Sequence, residues 1–492
     1  MLKRRASASF ATGARARWAV GLAIVVFALP SQAKLPREVG RAFLDAGIPL
    51  NRVGIVVQDT AKSRPLFEHD AERARNPASV MKLVTTFAAL DLLGPDYRWR
   101  TEAFLGGPLV GGELHGDLIL KGHGDPKITI EQWQSLMAQL RAKGLTAIDG
   151  DLVLDRSVFA LPPHDPSAFD HEPLKPYNVG PDALLVNFKS LKLKLAPDAT
   201  GTSVTVRAEP TLAEVTLGAP PAPASDDCGD WRSRAAPTIE DRGDRGAIAF
   251  GGAYPLACGE REWWIAMLDH PHYVRGMFET YFREAGGRFA GGVKERRVPV
   301  DARPFAVLES PPLEDIVRDV NKLSNNVMAR QIFLTLGTTQ GAAPATPARS
   351  VEAIRRWLAV RKLSMPGLVL ENGSGLSRQE RTSAGALNRL LMAASKSAVG
   401  DAFASSLAVA AVDGTVERRF QNGAVAGQAL LKTGTLEGVR ALAGYVIDAA
   451  GRHFTVVAIV NDRNAARATP ALDYLVQWVY RNGAAWDPKL QR

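Results

Sequence analysis

Three apolar runs near the C-terminus, QALLKTGT (428–435), VRALAGYVID (439–448) and FTVVAIVND (454–462), are strand-length and joined by short turns, so they predict consecutive β-strands. RVGIVVQD (52–59) predicts a buried strand near the start, with a second strand at Pro65-Leu-Phe-Glu68 to pair with it. The next element reads as a helix. Asn76 can cap it, Pro77 suits its first position, and an apolar run follows to Leu93-Gly94. Helical patterning returns after residue 312 in LEDIVRDVNKLSNNVMARQIFLTLG and in AIRRWLAVRKL. A last helix carries Leu472, Leu475, Val476 and Val479 on one face, which reads as docking on a sheet.

The middle of the chain has a different texture. GDLILKG (116–122) and GDLVLD (150–155) read as strands flanking the helical EQWQSLMAQLRAKG (131–144). LKLKLAP and TSVTVRAEPTLAEVTLG alternate like β-hairpin material, the PPAPASDD and EDRGDRG stretches read as loops, and YVRGMFETYFREAGG (273–287) reads as a helix. The expected architecture is α+β. Residues 34–99 and 290–492 form one domain, an antiparallel sheet flanked by helices. Residues 100–289 form a large two-part insert, with an outer α/β part and a nested β-rich part at about 185–262.

The first 33 residues read as an exported protein's signal peptide. Lys3, Arg4, Arg5, Arg15 and Arg17 precede AVGLAIVVFAL, and Pro30-Ser-Gln-Ala33 offers a small-residue cleavage point. The apolar run is short for a bilayer span, so no stable membrane anchor is expected after cleavage, and a periplasmic or otherwise exported location follows. Without those five charges the net charge falls from +9 to +4. No dense basic patch interleaved with aromatics remains, which argues against nucleic-acid binding. An apolar share of 46% and a charged share of 23% are those of an ordinary globular protein, excluding disordered and collagen-like chains. Cys228 and Cys258 are the only cysteines, and in an exported chain they most simply form one disulfide. No zinc-ligand spacing or H-E-x-x-H occurs, so neither a metal nor another cofactor is expected.

The chemistry lies in three short motifs: Ser79-Val-Met-Lys82, Ser324-Asn325-Asn326 and Lys432-Thr433-Gly434. In the order S-x-x-K, S-x-N, K-T-G they match the signature of enzymes that open amides through a serine ester. Such chemistry needs a hydroxyl nucleophile, an amine to take its proton, a hydrogen-bonding relay and a cation for an anionic terminus. On a helix, Ser79 and Lys82 are three apart and lie one above the other.

With Pro176-Tyr177-Asn178, Asn187-Phe188, Glu371-Asn-Gly-Ser-Gly-Leu-Ser-Arg378 and Val412-Asp-Gly-Thr415, the chain resembles the low-molecular-mass class C penicillin-binding proteins, a D-alanyl-D-alanine carboxypeptidase/endopeptidase family of serine peptidases. The large insert after the first motif is that family's trait. Asn325 stands where the family usually has Asp, and Glu371 where Asp is commoner. The resemblance implies peptidoglycan stem peptides and cross-bridges as substrates and β-lactam antibiotics as inhibitors. It implies Ser79 as nucleophile, Lys82 as its base, and Ser324 and Asn326 as the relay. Lys432 and Thr433 would hold the terminal carboxylate, Gly434 would leave room for the acyl chain, and the N–H groups of Ser79 and Thr435 would form an oxyanion hole. Asp155 would meet a free amine of the stem peptide. A β-lactamase or esterase on the same scaffold, or a non-catalytic penicillin-binding sensor, are the alternatives. The sensor reading expects the loss of Ser79, Lys82 or Lys432, and all three are present.

Overall fold

The computed structural model describes residues 35–341, 344–483 and 485–486, so the expected signal peptide at 1–33 lies outside the described residues. The segments flanking the insert build α1 (Arg37–Asp45), β1 (Val53–Asp59), β2 (Phe67–His69), α2 (Lys82–Leu93), α3 (Leu313–Lys322), α4 (Asn326–Thr338), α5 (Pro347–Val360), α6 (Ala384–Ala394), β3 (Ala408–Val409), β4 (Ala429–Leu436), β5 (Val439–Ile447), β6 (His453–Asn461) and α7 (Thr469–Asn482).

The strands form one antiparallel sheet in the order β2-β1-β6-β5-β4-β3. Both faces are covered, which is why its strands read as continuous apolar runs. Val53, Ile55 and Val57 of β1, with Phe454, Val456, Ala458 and Val460 of β6, pack with α1 and α7. The alternate residues Val56, Ala443, Val457 and Ile459 face α2 to α6. Side chains two apart share a face, so this one sheet divides two cores. The expected C-terminal helix docks as its apolar face requires, with Leu472, Leu475, Val476 and Val479 buried.

The insert has its own core and its own sheets. Strands Leu118–Gly122 and Leu152–Asp155 pair in parallel across the helix Ile130–Ala142, whose Thr129 and Gln132 form a capping box. Strand Ala306–Glu309 pairs with Arg100–Leu105, so the insert's sheet extends past the boundary expected at 289. In the nested part, Val204–Glu209 folds back on Leu191–Pro197 as the alternation predicts. Val215–Leu217 departs from the expected hairpin and pairs in parallel with Gly246–Phe250. The supposed loop PPAPASDD holds a short strand, Ala222–Ala224, against Ala253–Pro255, and Glu240 and Asp241 end another, Pro237–Asp241. Alternation marks a strand but not its partner. The Cys228–Cys258 disulfide is formed.

Two helix starts differ from the sequence reading, and both place site residues. Ala78–Met81 is a single 3₁₀ turn and α2 proper begins at Lys82, so Pro77 precedes the helix instead of opening it. The long helical pattern after 312 breaks at Ser324, whose φ of 58° is left-handed. Asn325 then caps α4 by accepting from Met328 N at 3.0 Å.

Candidate active site

Ser79 sits on the 3₁₀ turn just after Ala78, which holds a left-handed φ of 48°. A non-glycine residue in that region is strained, and the surroundings must hold it there. Asn76 does so: its Oδ1 accepts from Ala78 N at 2.8 Å and its Nδ2 donates to Ser377 O at 2.8 Å. Its backbone is clamped in turn by Asn461 at the end of β6, which accepts from Asn76 N and donates to Asn76 O, both at 2.8 Å. Asn76 is therefore a brace for the serine turn more than a helix cap.

Gly434 lets β4 approach that turn. A Cβ there would stand 2.5 Å from Pro77 O, with Ala78 and Ala441 close behind. The glycine is thus required by backbone packing. Gly375 has the same role from the other side, its φ of 79° turning the chain against Ala78 and Ser79.

Lys82 is fully buried, and its Nζ meets Ser79 Oγ at 3.0 Å, Asn326 Oδ1 at 2.6 Å and Ser374 O at 2.5 Å. A neutral amine has two N–H donors and one lone pair. Asn326 Oδ1 and Ser374 O accept the two N–H groups, which leaves the lone pair for the serine hydroxyl. Burial, and then the charge of Lys432, hold Lys82 well below the usual lysine range; Glu380 opposes this and Arg330 adds to it.

Lys432 is also fully buried, and burial brings its pKa down to about 7. Its Nζ donates to Ser324 Oγ at 2.8 Å and to Thr433 O at 3.0 Å. The relay residues are therefore divided, with Asn326 on Lys82 and Ser324 on Lys432. Thr433 Oγ1 meets Thr415 Oγ1 at 2.8 Å, while Thr435 is exposed at the open end of β4. Lys432 thus lies behind a threonine surface and charges it from within.

The loop at 371–378 closes the site and is held by a residue that the motifs do not include. Glu380 is buried and accepts from the backbone N–H groups of Glu371, Asn372, Gly373 and Gly375 at 2.8–3.0 Å. Burial pushes its pKa up, and the four N–H bonds pull the other way. Thr85 on α2 donates to Gly373 O at 2.7 Å, and Ser377 donates to Glu371. These contacts fix the carbonyl of Ser374 against Lys82. Nothing in the Gly-rich motif marks Glu380 as the anchor.

Asp155 lies apart from this group. It is 3% exposed at the end of an insert strand, with Oδ1 accepting from Ser157 and Oδ2 from Val298 N at 2.9 Å. Both oxygens are spent on the chain itself, so the residue shapes a turn and is not available to a substrate amine. Among the described residues no group of three His, Cys, Asp or Glu side chains is placed to hold a metal ion.

The D-Ala-D-Ala carboxypeptidase 3 (S13) family matches residues 35–481. The chain belongs to that family. It is 31% identical over 433 residues to the D-alanyl-D-alanine carboxypeptidase of Actinomadura sp. (strain R39), covering 85% of this chain and 79% of the relative. It is 24% identical over 420 residues to the D-alanyl-D-alanine carboxypeptidase DacB of Haemophilus influenzae, covering 84% and 85% of the two chains. The fold is that of the crystal structure of penicillin binding protein 4 from H. influenzae, with a TM-score of 0.75 over 90% of this chain and 99% of that one at 23% identity. The matched span, 35–481, includes the insert.

Proposed function

We infer that the chain is a penicillin-binding serine D-Ala-D-Ala carboxypeptidase/endopeptidase, acting on peptidoglycan stem peptides and cross-bridges from the periplasm or another exported location. The observation that carries this reading is the buried amine of Lys82, 3.0 Å from Ser79 Oγ with its two other contacts both acceptors.

In the forward step, Ser79 Oγ attacks the carbonyl carbon of the penultimate D-Ala while its proton passes to Lys82 Nζ. The C–N bond then breaks, the leaving amine takes a proton from the lysine side of the site, and an ester remains on Ser79. Water repeats the sequence to release the shortened peptide. Each backbone donor to the oxyanion, here assigned to Ser79 and Thr435, contributes about 3 kcal/mol to such steps. The substrate carboxylate is assigned to the hydroxyls of Thr433 and Thr435, with Lys432 behind them. Its arrival favours the charged form of Lys432.

A β-lactamase would need a group free to activate water for fast deacylation. Glu380, the carboxylate that acts on Lys82, has its oxygens engaged by four backbone N–H groups. Digestion of purified muropeptides, with products identified by mass, tests the proposal. Release of free D-Ala from pentapeptides marks the carboxypeptidase, and conversion of cross-linked dimers to monomers marks the endopeptidase. Intact substrates in both assays would overturn the reading.

A further inference from the structure

The mechanism leaves the turn at 412–415 without work, although its last residue reaches the site. Thr415 is exposed, and among the described residues its hydroxyl meets only Thr433 Oγ1, at 2.8 Å. Thr433 lies between Lys432 and Gly434 on β4, and among the described residues its hydroxyl has no other partner.

The turn is built to hold that contact. Asp413 Oδ1 accepts from Val409 N at 2.8 Å, and Asp413 Oδ2 accepts from Lys322 Nζ. Gly414 has a left-handed φ of 59° and lies against the chain just before Ser324. A Cβ there would stand 2.6 Å from Lys322 O and 2.8 Å from the Ala408 side chain. Val416 is fully buried behind it, and its carbonyl accepts from Ala411 N at 3.2 Å. Through Lys322, the ion pair and the glycine together tie the turn to the segment that carries Ser324. Connecting β3 to β4 does not by itself require a hydroxyl against Thr433.

A carboxylate accepts hydrogen bonds and donates none, while a hydroxyl has one proton and two lone pairs. With a substrate carboxylate in place, Thr433 spends its proton on it, so the contact with Thr415 must run from Thr415 to Thr433. A hydroxyl that accepts one bond donates the next more strongly, and its proton is turned away from the first partner. We propose that Thr415 is a positioning residue for the substrate carboxylate, donating to Thr433 and directing the Thr433 proton at the ligand without touching the ligand itself. The inference rests on the DD-peptidase reading and adds the 412–415 turn to its binding apparatus.

The test compares penicillin with its methyl ester, which keeps the β-lactam ring and lacks the carboxylate. Second-order rate constants for acylation, read by intact mass, give an acid-to-ester preference for wild type, Thr415→Val, Thr415→Ser, Thr433→Val and the double variant. Valine has nearly the shape of threonine without its hydroxyl. Thr415→Val should therefore lower the preference about 3- to 10-fold, the scale of one neutral hydrogen bond, by slowing the acid alone. Thr415→Ser restores the hydroxyl and should keep the preference within about twofold. In the Thr433→Val background, Thr415→Val should change nothing further, because it acts through Thr433.

Equal slowing of acid and ester in Thr415→Val would mark a purely structural turn and overturn the proposal. An unchanged preference in that variant, or none in wild type, would overturn it as well. A further loss in the double variant would place Thr415 on the carboxylate itself and overturn the positioning role. Each of these results leaves the enzymatic reading standing. No adduct on wild type from either compound would overturn that reading, and the positioning role with it.

Discussion

Lys82 and Lys432 are both fully buried and each touches a different serine: Lys82 Nζ is 3.0 Å from Ser79 Oγ, and Lys432 Nζ is 2.8 Å from Ser324 Oγ. Two amines of the same type therefore have separate work, one on the nucleophile and one behind the threonine surface of β4. Lys82→Arg puts a guanidinium that does not deprotonate at working pH in the place of the base. Single-turnover acylation by penicillin should fall by about 10³-fold, the scale of a lost general base. Lys432→Arg keeps the cation and should retain much more activity. The reverse ranking would exchange the two roles.

The charges are coupled, and the coupling sets a pH dependence. Lys432 lowers the pKa of Lys82, so Lys432→Met should move the rising limb of the acylation–pH profile toward higher pH. A limb that stayed in place or moved toward acid would contradict the coupling. Stability should follow the same groups. Lys432 titrates at about 7 when folded, against an ordinary 10.5, so between those values the unfolded chain binds more protons. Its contribution to stability therefore rises with pH across that window, and denaturant midpoints for Lys432→Met should rise less steeply with pH than those for wild type.

Glu380→Ala should damage both the fold and the chemistry. It removes a buried acceptor of four backbone N–H groups and loosens the loop that presents Ser374 O to Lys82. Leaving such donors unsatisfied costs about 1–3 kcal/mol each when fully realised, and partial relaxation brings the expected loss to about 3 kcal/mol. Chemical denaturation measures it. Acylation by penicillin should also slow, and an unchanged rate would show that the loop does not position the base.

The catalytic chemistry was legible in the sequence because it needs particular groups at fixed spacings. Ser79 and Lys82 are neighbours by helical geometry, and the strand-length runs marked all three long strands of the second half. What supports them was not legible. Glu380 holds its loop through backbone groups up to nine residues away, and a carboxylate after a Gly-rich turn looks like any solvated one. The packing that requires Gly434 was not legible either, since close approach between a strand and a distant turn leaves no mark in either segment. Asp155 failed for a related reason: a residue at a strand end can turn inward to its own chain. The parallel pairing of Val215–Leu217 depended on partners thirty residues away that alternation cannot name.

The disulfide should matter to the insert and not to the chemistry. Cys228 and Cys258 close a loop of sequence separation 30 in the nested β-rich part, away from Ser79. Chain entropy gives such a loop about 3–4 kcal/mol of stabilisation. Reduction, or a double substitution to alanine, should lower the thermal midpoint while the penicillin acylation rate stays within about twofold at a temperature where the chain is folded. A large loss of acylation without loss of stability would place the bridge closer to the chemistry than the fold does.

The central claim is that Ser79 carries the acyl group. Intact-mass measurement after incubation with penicillin tests it most directly. Wild type should gain the mass of one ring-opened penicillin, and Ser79→Ala, correctly folded by circular dichroism, should gain none. An undiminished adduct on Ser79→Ala, or no adduct on wild type under any acylating condition, would contradict the account.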